Sequence, residues 1–168
     1  MFLILTALLW ALPSFLLHNV LHEGAHALMA WFSGCTNIRL YPFPSRKLGY
    51  FTWAHMTYTT RGSLAWLRWI SVAPVVGEFL WLLCVLPLLF FAPVGWWSGV
   101  VLVEGISSIV DSTVWMLGFW NPKPNPYSDA ETFRRDFDFN RRTGKLYSLL
   151  LLLPATLVAW GMVRLFLA

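Results

Sequence analysis

Long apolar runs, each broken by only a few polar residues, occupy positions of about 2–32, 64–92, 96–119 and 146–167. As helices rising 1.5 Å per residue, all four are long enough to cross about 30 Å of hydrocarbon, so the pattern predicts four membrane spans. Pro13, Pro74 and Pro87 fall inside these runs and predict kinks or local openings, which neighbouring helices can re-satisfy. Between the first two runs, 37–42 and 50–60 are rich in β-branched and aromatic residues, with turn chemistry at 44–49, which predicts a small β-hairpin or sheet over about 36–60 at the membrane surface. A second polar stretch, 121–143, opens with Asn121-Pro-Lys-Pro-Asn-Pro and continues as a charged, short helical region. The expected fold is an all-α polytopic membrane protein of about four transmembrane helices, with a small β insertion between the first and second, forming one membrane-embedded domain over 1–168.

Composition supports the bilayer as solvent. Of the 168 residues 58% are hydrophobic and 12% charged, whereas a soluble domain carries roughly a quarter charged residues. The mean hydropathy is +0.61. The net charge of +4 does not indicate nucleic acid, because most of the basic residues lie in two loops beside apolar spans. Arg39, Arg46, Lys47 and Arg61 sit in the first loop without an acidic neighbour, and Lys123, Arg134, Arg135, Arg141 and Arg142 sit in the second. With four spans both loops share one face, which the positive-inside rule makes cytoplasmic, leaving both termini opposite. The expected location is a bacterial inner membrane. The apolar N-terminus has no positive region and no small-residue cleavage site after it, so it reads as a retained span. Cys35 and Cys84 lie in different settings and do not suggest a disulfide framework.

The chemistry concentrates in the first span at His22-Glu-Gly-Ala-His26. On a helix, residues four apart share a face, so both imidazoles can reach one metal ion, with Glu23 beside them to handle its water. Polar groups in an apolar helix cost free energy unless they are paired or functional, which strengthens the match. His18 falls one step earlier on the same stripe, as a proton-handling group or as a polar wall residue. His55 reads as a surface histidine, and Cys35 lies outside the motif helix.

A catalytic zinc takes three protein ligands, so a third must come from elsewhere. The chain has eight acids: Glu23, Glu78, Glu104 and Asp111 in the spans, and Asp129, Glu131, Asp136 and Asp138 in the second polar loop. Depth favours Asp111, which lies about 8 residues from the cytoplasmic end of its span against about 6 and 10 for His26 and His22. Glu78 and Glu104 suit interhelical hydrogen bonding or contact with substrate.

The segment Asn121-Pro-Lys-Pro124-Asn-Pro126-Tyr-Ser-Asp129 fits the N-x-x-P-x-P-x-x-D pattern of the site-2 proteases, and the chain resembles that family over about residues 14–132. Motif helix, β-region, a span containing Ala73-Pro74, another span and the Asp segment follow in the family's order. The resemblance implies that Asp129 is the third Zn²⁺ ligand, provided the Pro-rich segment folds back into the bundle. It also implies an intramembrane zinc endopeptidase acting on membrane-protein or peptide substrates, with Glu23 as general base and the β-region as an edge for an extended substrate segment. Two departures stand out. Ala73-Pro-Val-Val-Gly77 replaces the family's Gly-Pro-x-x-Asn, and Asp129-Ala-Glu131 replaces its Asp-Gly-Gly. The rival readings are a catalytically silent metal-binding or metal-handling membrane protein, and a structural partner whose histidines bond only across helices.

Overall fold

The computed structural model describes residues 2–167 other than Leu48, Trp53, Gly62, Ser63, Ala92, Pro124 and Tyr127. Pro124 and Tyr127 of the family-like segment therefore lie outside the described residues. Helix α1 (Phe2–Phe32) is followed by four short strands, β1 (Thr36–Tyr41), β2 (Ser45–Lys47), β3 (Tyr50–Thr52) and β4 (His55–Thr59). Helices α2 (Leu64–Leu67), α3 (Ala73–Phe91), α4 (Ser98–Trp120), α5 (Asp129–Asp136) and α6 (Arg141–Ser148) come next, and a 3-10 turn leads into α7 (Leu152–Leu167).

Among the described residues four helical segments are long and apolar enough to cross a membrane: Ile4–Phe32, Ala73–Phe91, Ser98–Trp120 and Arg141–Arg164. The side chains sort in the reverse of a water-soluble fold. Leu9 is 72% exposed, and Leu83, Leu153 and Trp160 also face outward, while Ser14, His18, Asn19, Glu23 and His26 are buried along one stripe of α1. That sorting suits a multi-pass membrane protein, in which apolar side chains meet lipid and polar ones pair inside the bundle. Pro13 and Pro87 are accommodated inside otherwise unbroken helices.

Helix α1 packs chiefly on α4 and α3, and α7 closes the bundle against α3 and α4. One apolar cluster joins Val85 and Leu89 of α3 to Val101 and Leu102 of α4 and Val158 of α7. Small residues set the closest approaches. A Cβ on Gly99 would overlap the backbone of Thr6 and Ala7, and one on Gly77 would stand 3.3 Å from the Ala25 Cβ. Gly77 thus lets α3 pass close to the motif helix.

The second span begins at Ala73, not at 64 as the apolar count suggested. Leu64–Leu67 forms a separate helical turn, and tight turns follow in which Ile70 N–H donates to Leu67 O at 3.1 Å and Val72 N–H to Trp69 O at 3.1 Å. A helix running through this region would need the amide of residue 74 to bond Ile70 O, and proline has none. Near the start of α3 the missing donor costs little. At the last span the helix instead starts earlier than 146, at Arg141, where the Asn140 side chain caps it by accepting from Thr143 N–H.

The β insertion is an antiparallel hairpin in two sections, β1 with β4 and β2 with β3. Pairing extends through Ser45–Lys47, which meets Tyr50–Thr52, and Gly49 just before β3 takes φ +86, a conformation suited to glycine. Beyond α4, helix α5 folds back onto the bundle. The Phe133 ring lies 5.7 Å from Trp115 and 6.2 Å from Phe119, and Ala130 seats on Gly118, where a Cβ would meet it at 2.7 Å.

Gly99→Val should lower the thermal unfolding midpoint in detergent, because overpacking against backbone typically costs about 1–3 kcal/mol. Gly24→Ala, whose Cβ would have nothing within 4 Å, should leave it unchanged or raise it slightly. Equal midpoints for wild type and Gly99→Val would show that this crossing is looser than described.

Candidate metal centre

The four-residue spacing in α1 places the His22 and His26 rings edge to face, 5.2 Å between centroids. Asp129 reaches them from the first turn of α5. The Ser128 hydroxyl caps that helix by accepting from Glu131 N–H at 3.3 Å. Asp129 Oδ2 lies 3.3 Å from His22 Nε2, and Oδ1 lies 3.4 Å from His26 Nε2. Donor atoms of the three residues all fall within 4.8 Å of one another. Ligands about 2.0–2.1 Å from a tetrahedral zinc stand about 3.3–3.4 Å apart, so each Asp129–histidine contact, made through a different carboxylate oxygen, has that spacing, and the donor types suit the ion.

The remaining ring nitrogens are also engaged. His26 Nδ1–H donates to Ile70 O at 2.6 Å, the carbonyl that Pro74 leaves open. His22 Nδ1 faces Asp111 Oδ2 at 2.9 Å. Each bond turns Nε2 toward Asp129 and fixes the tautomer that a metal ligand requires. Asp111 and Asp129 therefore sit on opposite nitrogens of His22. Asp111 shares the depth of the motif, as the sequence count implied, but it groups with His18 and Glu78 and not with the His22–His26–Asp129 set.

Glu23 is buried, and it lines the same cavity of about 490 Å³ as His22, His26 and Asp129. Thr52, His55, Met56 and Tyr58 of the hairpin form one wall, and Asn125, Ser128 and Thr132 form part of another. Burial by itself would raise the Asp129 carboxyl, but the His26 and His22 imidazoles hold it well below the usual carboxylate range, as a charged oxygen donor.

The other residues singled out from the sequence separate clearly. His55 is not a simple surface histidine: it stacks on Tyr41 at 4.5 Å and faces the cavity. Cys35 packs in an apolar cluster with Ala30, Met56 and Ile70, and Cys84 is exposed. Glu131 pairs with Arg134 at 2.6 Å, away from the donor set. The contribution of Ile70 is absent from the sequence reading, although a proline four residues later was a signal for it.

No protein-family model matches the chain, and no curated protein or solved structure matches it either.

Asp129→Ala removes one of three donors and should cost one equivalent of zinc relative to wild type, measured by elemental analysis of purified protein after dialysis. An unchanged zinc content in that variant, at unchanged helical signal, would remove Asp129 from the centre.

Proposed function

We propose that the protein is an intramembrane zinc-dependent endopeptidase that hydrolyses peptide bonds of membrane-protein substrates, resembling the site-2 proteases. The observation that carries this reading is the convergence of His22, His26 and Asp129 donor atoms within 4.8 Å, beside the buried Glu23, on one open cavity. A zinc ion bound there would supply a Lewis acid that acidifies water and polarises a carbonyl. Among the chain's own groups, Glu23 accepts the proton of the attacking water and delivers it to the leaving amine. Ile70 O and Asp111 keep the two imidazoles turned toward the ion, so their orientation need not be found anew at each turnover.

A transmembrane substrate must unwind before its carbonyl can be attacked, since helical carbonyls are bonded and shielded. The β1–β4 ladder has two strands, so β4 is an edge strand, and its His55, Met56 and Tyr58 border the cavity. An extended peptide adding to that edge would lie along the wall beside Glu23. The basic clusters support a topology with both polar loops in the cytoplasm and both termini opposite, in a bacterial inner membrane.

Glu23→Gln keeps the shape of the side chain while removing the base. Zinc content and helical signal should match wild type, while cleavage of a fluorescent single-span substrate falls by at least about 100-fold. Equal turnover by both proteins would refute the hydrolytic role, and a chain that binds metal without any turnover would favour metal handling. For topology, Arg142→Cys in a background lacking Cys35 and Cys84 should resist a membrane-impermeant maleimide added to intact cells; labelling from outside would invert the orientation.

A further inference from the structure

Deeper in the bundle a second set of donors repeats the construction of the first. His18 Nε2 lies 3.2 Å from Asp111 Oδ2 and 3.3 Å from Glu78 Oε1. Donor atoms of His18, Glu78 and Asp111 all fall within 4.8 Å of one another. Two of the three are held from behind and the third is shared. Ser108 Oγ–H donates to the other Glu78 oxygen at 2.9 Å, the Glu104 carboxylate stands 3.6 Å from His18 Nδ1, and the same Asp111 Oδ2 also meets His22 Nδ1 at 2.9 Å. Glu104 is 1% exposed, and neither of its oxygens has a hydrogen-bond partner among the described residues.

An ionised carboxylate buried without partners is costly unless positive charge stands near it. Glu104 faces one nitrogen of His18 while Glu78 and Asp111 face the other. A carboxylate behind an imidazole whose second nitrogen points into a donor cluster is the arrangement that raises the basicity of a metal-ligating histidine. We infer that His18, Glu78 and Asp111 form a second divalent-cation site, oriented by Glu104 and linked to the outer centre through Asp111. Two carboxylates and one imidazole make this a harder donor set than the two imidazoles and one carboxylate outside, and it suits a first-row divalent ion such as Mn²⁺ or Zn²⁺. The inference does not rest on the proteolytic reading, since a silent metal-handling protein would use the same two sites.

The test is Zn²⁺ stoichiometry of the full chain in detergent, stripped with chelator and re-equilibrated with Zn²⁺, measured by elemental analysis. Variants are made at Glu78 and His18 because Asp111 also bonds His22. Wild type should hold two equivalents, Glu78→Gln and His18→Ala one each, Asp129→Ala one, and the Asp129→Ala/Glu78→Gln double variant none. Saturation of the wild type at a single equivalent that Asp129→Ala abolishes would overturn the second site, whether or not the inner variants fold. Retention of two equivalents by both Glu78→Gln and His18→Ala would overturn it as well. A single equivalent lost in Glu78→Gln but kept in Asp129→Ala would uphold the inner site and sink the outer one, so the two failures are distinguishable.

Discussion

Every polar group that α1 carries into the bilayer must find its partner inside the protein, and the rest of the structure is arranged around that requirement. The stripe running through Ser14, His18, Asn19, His22, Glu23 and His26 is polar on a helix whose leucines mostly face outward. Each neighbouring element contributes a group to it. The turn before α3 offers the Ile70 carbonyl and α3 itself offers Glu78; α4 offers Glu104 and Asp111, α5 offers Asp129, and the hairpin accepts from Asn19 Nδ2 through Pro42 O at 3.3 Å. The bundle is thus a set of acceptors and donors collected around one helix, and its packing follows from where those groups have to stand.

Small residues and prolines make that collection possible. Gly99 brings α4 against the backbone of α1, Gly77 does the same for α3, and Gly118 opens the space into which Ala130 carries α5. Pro74 has a double effect. It delays the start of the second span, and the carbonyl it leaves without a helical donor is the one that orients His26. A helix break and a feature of the candidate metal centre are here one event, which explains how a turn before the second span comes to govern a site inside the bundle.

The four spans and the motif were readable because apolar run length and four-residue spacing are local properties of the chain. The start of the second span was not, since Leu64-Ala-Trp-Leu is as apolar as a span and only the missing amide of Pro74 sets it apart. The choice between Asp111 and Asp129 also escaped a count of depth. Depth is a single coordinate along the membrane normal, and the two acids differ in which nitrogen of His22 they face. The fold-back of α5 depends on Phe133 meeting Trp115 and Phe119, a contact between residues on separate helices with no sign in either segment alone. His55 was misjudged for a related reason. A short polar strand reads as surface until the cavity behind it is known.

Charge balance ties the two donor clusters together. Glu23, Glu78, Glu104, Asp111 and Asp129 share the interior with three histidines, His18, His22 and His26, so the carboxylates outnumber the imidazoles even if every ring is cationic. Interactions between charges weaken little in such surroundings, so positive charge placed among these carboxylates offsets their mutual repulsion. A general base has to be ionised to act. A divalent ion held among His22, His26 and Asp129 would place positive charge beside Glu23, which lines the same cavity. A second ion among His18, Glu78 and Asp111 would do the same for the wall behind His22. On this argument the inner cluster would act on the outer one without touching substrate, because the Asp111 oxygen that faces His18 is the one directed at His22 Nδ1.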